Sequence, residues 1–101
     1  MKEYLYLLRP TRIEMITAGP TPQEADIVEQ HSAYLENLAQ RRVLILYGRT
    51  QNADETTFGI VVFVADSEEG ARAIMENDPA VRQGVMRAEL YPYRVVYSRK
   101  V

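Results

Sequence analysis

Two apolar segments separated by a polar stretch constrain the fold of this chain more than any other feature. The first comprises residues 43–47 (VLILY), which Gly48 follows, and the second comprises residues 58–65 (FGIVVFVA). Both are short, rich in β-branched and aromatic residues, and bounded by turn-forming residues, which is typical of β-strands. Residues 50–57 between them are polar and predict a turn. The pair therefore predicts an antiparallel hairpin in the middle of the 101-residue sequence.

A helix is predicted before this hairpin. Thr21, Pro22 and Glu24 form a capping box with proline at the first helical position, so the helix should run from residue 22 to about residue 40. His31 lies on its apolar stripe, which has the spacing of an amphipathic helix. The stripe consists of Ala25, Val28, Leu35, Leu38 and Ala39, with Ile27 and Tyr34 beside it.

A second helix is predicted after the hairpin. Residues 66–69 supply a cap with an acid three residues on, and Ala71, Ile74 and Met75 form an apolar side. This helix should end near Asn77, because a proline at position 79 disfavours helical geometry at Asp78.

The outer strands complete the pattern. Residues 2–8 (KEYLYLL) predict a first strand, and residues 85–97 predict a last one, in which Pro92 marks an edge, a bulge or a split. Residues 9–20 form a long connection between the first strand and the first helix. We leave two interpretations of it open: a lid or binding loop, or a loop that packs Ile13, Met15 and Ile16 onto the core.

The order strand, helix, strand, strand, helix, strand predicts an α+β fold of the ferredoxin-like βαββαβ type. Two helices would cover one face of a four-stranded antiparallel sheet, within a single domain that spans residues 1–101. The other face would carry apolar side chains that two helices cannot also cover. An uncovered apolar face predicts a partner site, so we expect a homodimer packed through its sheets.

Composition excludes several classes of function. Twelve basic and 14 acidic residues give a net charge of −2, which argues against a nucleic-acid partner. Residues 58–63 weakly resemble the third-strand signature of RNA-recognition motifs, but the basic residue that should precede it is absent. No apolar run reaches the roughly 20 residues of a membrane helix, and the N-terminus is not a signal peptide. We therefore expect a cytoplasmic protein with no membrane partner.

Metal and cofactor sites are not expected either. The chain has one histidine and no cysteine, and no phosphate-binding loop or nucleophile elbow is present.

His31 and Asp78 are the two residues with the clearest chemical potential. A lone histidine on an apolar helix face is usually structural, and an acid before a proline can simply turn the chain. In the predicted fold, however, the two helices lie side by side on one sheet face. A carboxylate bonded to one imidazole nitrogen fixes the tautomer and makes the other nitrogen a better base.

Several segments together resemble a known family. They are residues 31–38 (HSAYLENL), 46–49 (LYGR), 67–72 (SEEGAR), 77–79 (NDP) and 89–93 (ELYPY). In this combination they are similar to the YCII-related (YciI-like) family, over nearly the whole chain.

The resemblance implies a dimeric ferredoxin-like fold related to dimeric α/β barrels. It also implies an active site built on a His–Asp pair, which maps to His31 and Asp78, and a lyase-type dehydrochlorination of a chlorinated hydroxyquinol as an assigned activity. The sequence departs from the family at two positions. Arg42 stands where a left-handed glycine is usual and should adopt another conformation, and Arg49 stands where proline is frequent.

Two functions remain open at this point. One is a small, cofactor-free lyase or isomerase in which His31 moves a proton on an aromatic or enol-like substrate and Asp78 orients it. Arg49 or Arg12 would then hold an anionic substrate, and Tyr34 would form a wall of the site; packing of Tyr34 and solvation of Arg49 are the alternatives. The other function is a non-catalytic dimer domain that binds a small ligand, with His31 and Asp78 as a buried structural pair.

Overall fold

A computed structural model of the chain describes residues 1–99 and has the predicted order of the six main elements, together with two short helical turns. The elements are β1 (Lys2–Pro10), α1 (Glu14–Thr17), α2 (Pro22–Gln40), β2 (Leu44–Arg49), β3 (Gly59–Ala65), α3 (Glu68–Glu76), α4 (Pro79–Arg82) and β4 (Met86–Pro92). All strand pairs are antiparallel and the order across the sheet is β2-β3-β1-β4. The ferredoxin-like α+β fold is therefore confirmed. Among the described residues the sheet is open, with β2 and β4 at its edges, and does not close into a barrel.

The core lies between the sheet and the helices. Because side chains alternate along a strand, β1 and β3 each present every second residue to the helices. These residues are buried together with apolar residues of α2 and α3. The cluster contains Tyr4, Tyr6, Leu8, Val61, Phe63, Ala65, Leu35, Leu38, Ala71 and Met75.

The N-terminus of α2 has the predicted capping box. The Thr21 hydroxyl accepts from the Glu24 backbone N–H at 3.1 Å, and Glu24 accepts from the Thr21 N–H at 2.9 Å. The buried residues of α2 are Ile27, Leu35 and Leu38, whereas Ala25 and Ala39 are exposed. The predicted stripe is thus wrong at the two alanines, which bury little area, and Ile27 takes a core position.

The turn after α2 corrects the expectation for Arg42. This residue has a φ of +60°, so it keeps the left-handed conformation that the family's glycine would adopt. Its backbone N–H donates to Ala39 O at 3.0 Å, and the next residue donates to Leu38 O at 3.0 Å. These two bonds satisfy carbonyls at the end of the helix, and they hold an arginine in a conformation that non-glycine residues seldom adopt.

The turns that flank α3 place Asp78. Ser67, rather than Asp66, caps α3 by accepting from the Gly70 N–H at 3.0 Å. After α3 ends at Glu76, Asp78 becomes the N-cap of α4 and Pro79 occupies the first helical position. The carboxylate of Asp78 accepts from the Ala80 N–H at 3.0 Å. The position of Asp78 is therefore fixed by the start of a helical turn.

The last strand is shorter than predicted, because β4 ends at Pro92 on the edge of the sheet. Proline is tolerated on an edge strand because its missing N–H costs no bond of the sheet there, and the last backbone bond of this pairing runs from the Tyr93 N–H to Glu3 O at 3.0 Å. Residues 93–98 instead lie along the sheet face that the helices do not cover, beside Leu46, Ile60 and Val62. The expectation of a wholly uncovered face is thus partly wrong: Val62 is 2% exposed, whereas Leu46 is still 45% exposed.

The connection between β1 and α2 packs against the rest of the molecule. Strand β1 continues to Pro10, and residues 14–17 form the helical turn α1. Met15 is buried in a second apolar cluster with Ile27 and Val85. The packing interpretation thus holds for Met15, and the same segment also forms a wall of the cavity described below. No helix among the described residues is long and apolar enough to span a membrane.

Candidate active site

His31 and Asp78, which are 47 residues apart in the sequence, are in direct contact. The Nδ1 atom of His31 lies 2.7 Å from Oδ1 and 2.9 Å from Oδ2 of Asp78. The imidazole comes from the middle of α2, and the carboxylate comes from the cap of α4, which packs against that helix. The Asp78 side chain is fully buried, whereas the His31 side chain is 13% exposed.

The Asp78 carboxylate has partners on three elements. Its Oδ2 atom accepts from the Tyr6 hydroxyl of β1 at 2.8 Å, and its Oδ1 atom accepts from the Ala80 N–H of α4 at 3.0 Å. With His31 on α2, these donors account for both carboxylate oxygens. A buried carboxylate needs such partners, because its desolvation is otherwise very costly. The arrangement therefore fixes the carboxylate in one orientation.

The proton on the imidazole can be assigned from this network. Tyr6, Ala80 and His31 all approach the carboxylate, and an ionised carboxylate can only accept hydrogen bonds. Nδ1 of His31 must then carry a hydrogen, which in the neutral ring leaves the lone pair on Nε2. Nε2 has no protein partner among the described residues, and His31 contributes to the wall of a cavity.

The Tyr6 hydroxyl is suited to be a permanent donor. Burial, the negative charge of Asp78 and the hydrogen bond to Asp78 all raise the pKa of Tyr6 above its usual value. The hydroxyl consequently stays protonated and donates to the carboxylate. The Tyr6 side chain is itself fully buried and packs edge-on against Phe63, with ring centroids 5.6 Å apart.

The cavity next to His31 has a volume of about 580 Å³. This lies in the usual range for small-molecule sites, about 300–1,000 Å³. Its walls come from α2, the α1 segment, the β2–β3 hairpin and the start of β4, and most of its surface is apolar. Apolar lining residues include Met15, Ile16, Val28, Leu35, Phe58 and Met86. Such a site suits a small and largely apolar ligand.

Arg49 is the one predicted substrate-binding residue that lines this cavity. It ends β2, pairs with Gly59 of β3, and is exposed. Alternation along β2 places Arg49 on the same face as Tyr47, which also lines the cavity. His31 and Arg49 thus share one cavity, with Arg49 on its solvent-exposed side.

The structure places Arg12 and Tyr34 elsewhere. The Arg12 guanidinium binds Glu24 at 2.6 and 2.8 Å and is not among the residues that line the cavity. The Tyr34 hydroxyl donates to the Ile74 backbone carbonyl at 2.7 Å and joins α2 to α3. Burial, followed by the charge of Asp78, raises the pKa of Tyr34. Both contacts hold elements together and leave neither side chain at the cavity wall.

Sequence reasoning did not single out Tyr6 or the shape of the cavity. A tyrosine in an apolar, central strand is a signal for such a residue, because a buried phenol hydroxyl usually finds a hydrogen-bond partner. Which partner it finds depends on contacts across 72 residues. Among residues 1–99, no group of three or more histidine, aspartate and glutamate side chains is placed to hold a metal ion.

Fold and site together define a class: an α+β protein with a buried imidazole–carboxylate pair at the wall of an apolar cavity. The sequence model of the YCII-related domain matches residues 6–94. The chain therefore belongs to the YCII-related domain family, and the resemblance found in its motifs is confirmed.

Solved structures extend the comparison of the fold. The chain is similar to 5-chloro-2-hydroxyhydroquinone dehydrochlorinase (TftG) from Burkholderia phenoliruptrix, in complex with 2,5-dihydroxybenzoquinone, at 19% identity and a TM-score of 0.63. The match covers 90% of this chain and 93% of that chain. An uncharacterized protein from Thermotoga maritima matches at 13% identity and a TM-score of 0.56, over 91% of this chain and 95% of that one.

SnoaB, a cofactor-independent oxygenase from Streptomyces nogalater, matches at 10% identity and a TM-score of 0.51, with 97% of each chain covered. At these identities the likeness shows a shared fold. No curated protein has a significant match to the sequence.

Proposed function

We propose that this chain is a small enzyme that transfers a proton at Nε2 of His31, in a lyase- or isomerase-type reaction on a small substrate. One observation carries the proposal: the buried carboxylate of Asp78 holds Nδ1 of an imidazole whose ring lines an apolar cavity. A carboxylate in this position fixes the tautomer and raises the basicity of the opposite nitrogen. A general base so placed typically contributes about 10²–10⁴-fold in rate.

The proposed step removes a proton from a carbon next to a carbonyl group. Nε2 takes the proton, and the electron pair of the C–H bond moves onto the substrate as an enolate. In an isomerisation, the imidazolium returns the proton to a different carbon. In an elimination, the electron pair expels an anionic leaving group from the neighbouring carbon. Both reactions balance with one acid/base residue, so the proposal includes no cofactor.

Other residues of the chain would support this step. Asp78 would stabilise the imidazolium that forms, and Tyr6 would hold the Asp78 carboxylate in place through the bond of 2.8 Å. Arg49 would hold a charged group of the substrate at the cavity wall. Arg12 and Tyr34, whose contacts are structural, have no part in the proposal. The dehydrochlorinase and the cofactor-independent oxygenase named above support small-molecule chemistry on this fold.

Proton exchange tests the proposal without a known substrate. A panel of small aromatic and aliphatic enolisable carbonyl compounds is incubated with the protein in D₂O, and loss of C–H signals is followed by proton NMR. We expect catalysed exchange in at least one compound, abolition of exchange in His31→Gln, and full exchange in Asn37→Gln, an exposed control on the same helix. Exchange retained in a folded His31→Gln variant, or absent throughout the panel with the native chain, would reject the proton-transfer role.

The tautomer is a second, ligand-free test. Because His31 is the only histidine, its ring nitrogens give unambiguous signals in long-range ¹H–¹⁵N spectra. We expect the neutral ring to carry its proton on Nδ1 in the native chain, and a shift toward the Nε2-protonated form in Asp78→Asn, whose amide can donate to Nδ1. A native ring protonated on Nε2 would contradict the assigned geometry.

A non-catalytic ligand-binding domain is the second candidate, and a specific observation favours it. Asp78 caps α4 and ties it to β1 and α2, so the network has a structural role whatever its chemistry. This candidate predicts that the native chain catalyses no proton exchange and that His31→Gln lowers stability or ligand affinity. The exchange experiment therefore separates the two functions.

We also propose that the chain forms a homodimer through the sheet face away from the helices. Leu46 and Tyr91 lie on that face, opposite Val62 and Leu5 in the register, and each is 45% exposed. We expect sedimentation to show a dimer, and Leu46→Glu to shift it toward the monomer without unfolding it. A native chain that stays monomeric across the concentration range would refute this part of the proposal.

A further inference from the structure

We propose that the ligand of the cavity is a small apolar monoanion, whose charged group is bound by Arg49 while its reactive part lies beside His31. This inference rests on the proposed function, because it names the class of substrate for the same site. Three observations support it: the charges of the residues that line the cavity, the absence of an acidic partner at Arg49 among residues 1–99, and the apolar character of the remaining surface.

The described residues that line the cavity include no carboxylate. Among the described residues that line it, Arg49 is the only cation, and His31 and Tyr47 are the other titratable groups. The chain as a whole has more acidic than basic residues, 14 against 12. The lack of acidic residues among the described lining residues therefore does not follow from the composition of the chain, in which acids outnumber bases. An anionic ligand would meet no repelling side chain there, whereas a cationic one would meet no partner.

Arg49 is also available for a ligand. Arg12 is bound to Glu24 at 2.6 Å and Arg72 lies 3.7 Å from Glu68, but Arg49 has no acid within 4.0 Å among residues 1–99. A guanidinium presents paired donors that match a carboxylate, which makes it suited to this contact.

The backbone that carries Arg49 is held in place by the hairpin. Arg49 pairs with Gly59, and the next residue along, Thr50, donates its N–H to Phe58 O at 2.9 Å. A side chain at Gly59 would approach Gly48 O to 3.2 Å and the Arg49 Cβ atom to 3.7 Å, so glycine permits this close pairing. The base of the Arg49 side chain is thus fixed relative to the cavity, and only its outer part must be ordered on binding.

The lining residues also limit the number of negative charges that the ligand can carry. One guanidinium can neutralise one negative charge, and a second charge would lie against Met15, Val28 or Phe58 without a partner. Burial of an unpaired charge is strongly unfavourable. The cavity therefore fits an apolar body with a single anionic group, such as an organic carboxylate.

Benzoate and benzamide provide a matched pair of probes. They have nearly the same shape and apolar ring, but only benzoate is charged at neutral pH. Each is titrated into the native chain at low ionic strength, and the ring signals of His31 report binding. We expect benzoate to perturb these signals and to bind at least tenfold more tightly than benzamide.

Variants of Arg49 locate the charge. In Arg49→Gln we expect the affinity for benzoate to fall about tenfold, with the weak binding of benzamide unchanged, and Arg49→Lys should recover part of the loss. Arg87→Gln is the control, because Arg87 is an exposed arginine on the other edge strand and is not among the residues that line the cavity. Thermal unfolding of all three variants verifies that the fold is kept.

The results separate this inference from the proposed function. Equal binding of the two probes, no perturbation of His31 by benzoate, or an unchanged benzoate affinity in Arg49→Gln would each overturn the monoanion proposal. None of these results alters the exchange and tautomer experiments on His31. Conversely, benzoate binding that depends on Arg49, in a chain that shows no proton exchange, would support an anion-binding domain and reject the enzyme.

Discussion

Two acidic residues of this protein, Glu24 and Asp78, perform the same pair of tasks in different surroundings. Each supports the first turn of a helix: Glu24 accepts from the Thr21 N–H at 2.9 Å, and Asp78 accepts from the Ala80 N–H at 3.0 Å. Each also binds a basic side chain from another segment. Glu24 binds Arg12 and Asp78 binds His31, with shortest distances of 2.6 and 2.7 Å.

Burial separates the two pairs. The side chains of Arg12 and Glu24 are 42% and 15% exposed, whereas those of His31 and Asp78 are 13% and 0% exposed. Water can replace either partner of the exposed pair, so that pair stabilises the chain only modestly. The Asp78 carboxylate has no such replacement, and its partner His31 lines a cavity. Similar local contacts thus secure a loop in one place and create a candidate base in the other.

Removal of the buried acid is the strongest test of this difference. In Asp78→Ala the hydroxyl of Tyr6 loses its buried acceptor and α4 loses its cap, while Nδ1 of His31 loses its partner. A buried donor left without an acceptor costs about 1–3 kcal/mol and a lost N-cap costs about 1 kcal/mol, so we expect the free energy of unfolding to fall by about 2–4 kcal/mol. Denaturation in urea measures it.

The matched variant for this comparison is His31→Gln. Asp78 would keep its two other donors, so the loss of stability should be smaller than in Asp78→Ala. An Asp78→Ala chain as stable as the native one would show that the network contributes nothing to the fold.

Loss of the Tyr6 hydroxyl should have the next largest effect. Tyr6→Phe keeps the ring against Phe63 but removes the donor to Asp78, and a buried polar group left short of a partner costs about 1–3 kcal/mol. Tyr4→Phe is the control, because Tyr4 lies on the same strand face and its hydroxyl makes no hydrogen bond among the described residues. Equal effects of the two substitutions on the free energy of unfolding would argue against a supporting role for Tyr6.

The sequence predicted the parts of this arrangement that are local. Alternation in β1 and β3, the capping box of α2 and the proline after Asp78 each depend on a few neighbouring residues, and each predicted its element. Strand β4 was predicted too long, since the point where pairing stops depends on the neighbouring strand.

The candidate site depends more on contacts between distant segments than the individual helices and strands do. Two side chains of the buried network, those of His31 and Asp78, were identified, whereas Tyr6 and the cavity were missed. The contact of Arg12 with Glu24, 12 residues away, was not predicted, because nothing in the sequence indicates it. The conformation of Arg42 was predicted wrongly because hydrogen bonds at the end of α2 outweigh its intrinsic backbone preference.

The exposed pair should respond weakly to substitution and strongly to salt. We expect Glu24→Gln, which keeps an acceptor for the Thr21 N–H, to lower the midpoint of thermal unfolding by less than Tyr6→Phe does. Salt screens exposed charges, so the difference between native and Glu24→Gln chains should shrink at high ionic strength. For Asp78→Ala the difference should persist, and a similar salt sensitivity of both would break the distinction drawn from burial.

Acidification should remove the stability that the exposed pair of Arg12 and Glu24 contributes, and this is the smallest of the expected effects. The hydrogen bond from Arg12, followed by that from the Thr21 N–H, lowers the pKa of Glu24 from 4.5 to about 2. A carboxyl whose pKa is depressed by folding contributes stability above its unfolded pKa and loses it as the pH falls through the folded one. The difference in free energy of unfolding between native and Glu24→Gln chains should therefore be constant above about pH 5 and should decline as the pH falls toward 2.

The comparison with Glu24→Gln is needed because hydrogen bonds also lower the pKa of Asp54, so the acid sensitivity of the native chain alone would combine contributions from both carboxyl groups. The difference between the two chains isolates Glu24, and a difference that does not change between pH 5 and 2 would show that the Arg12 contact is not formed in solution.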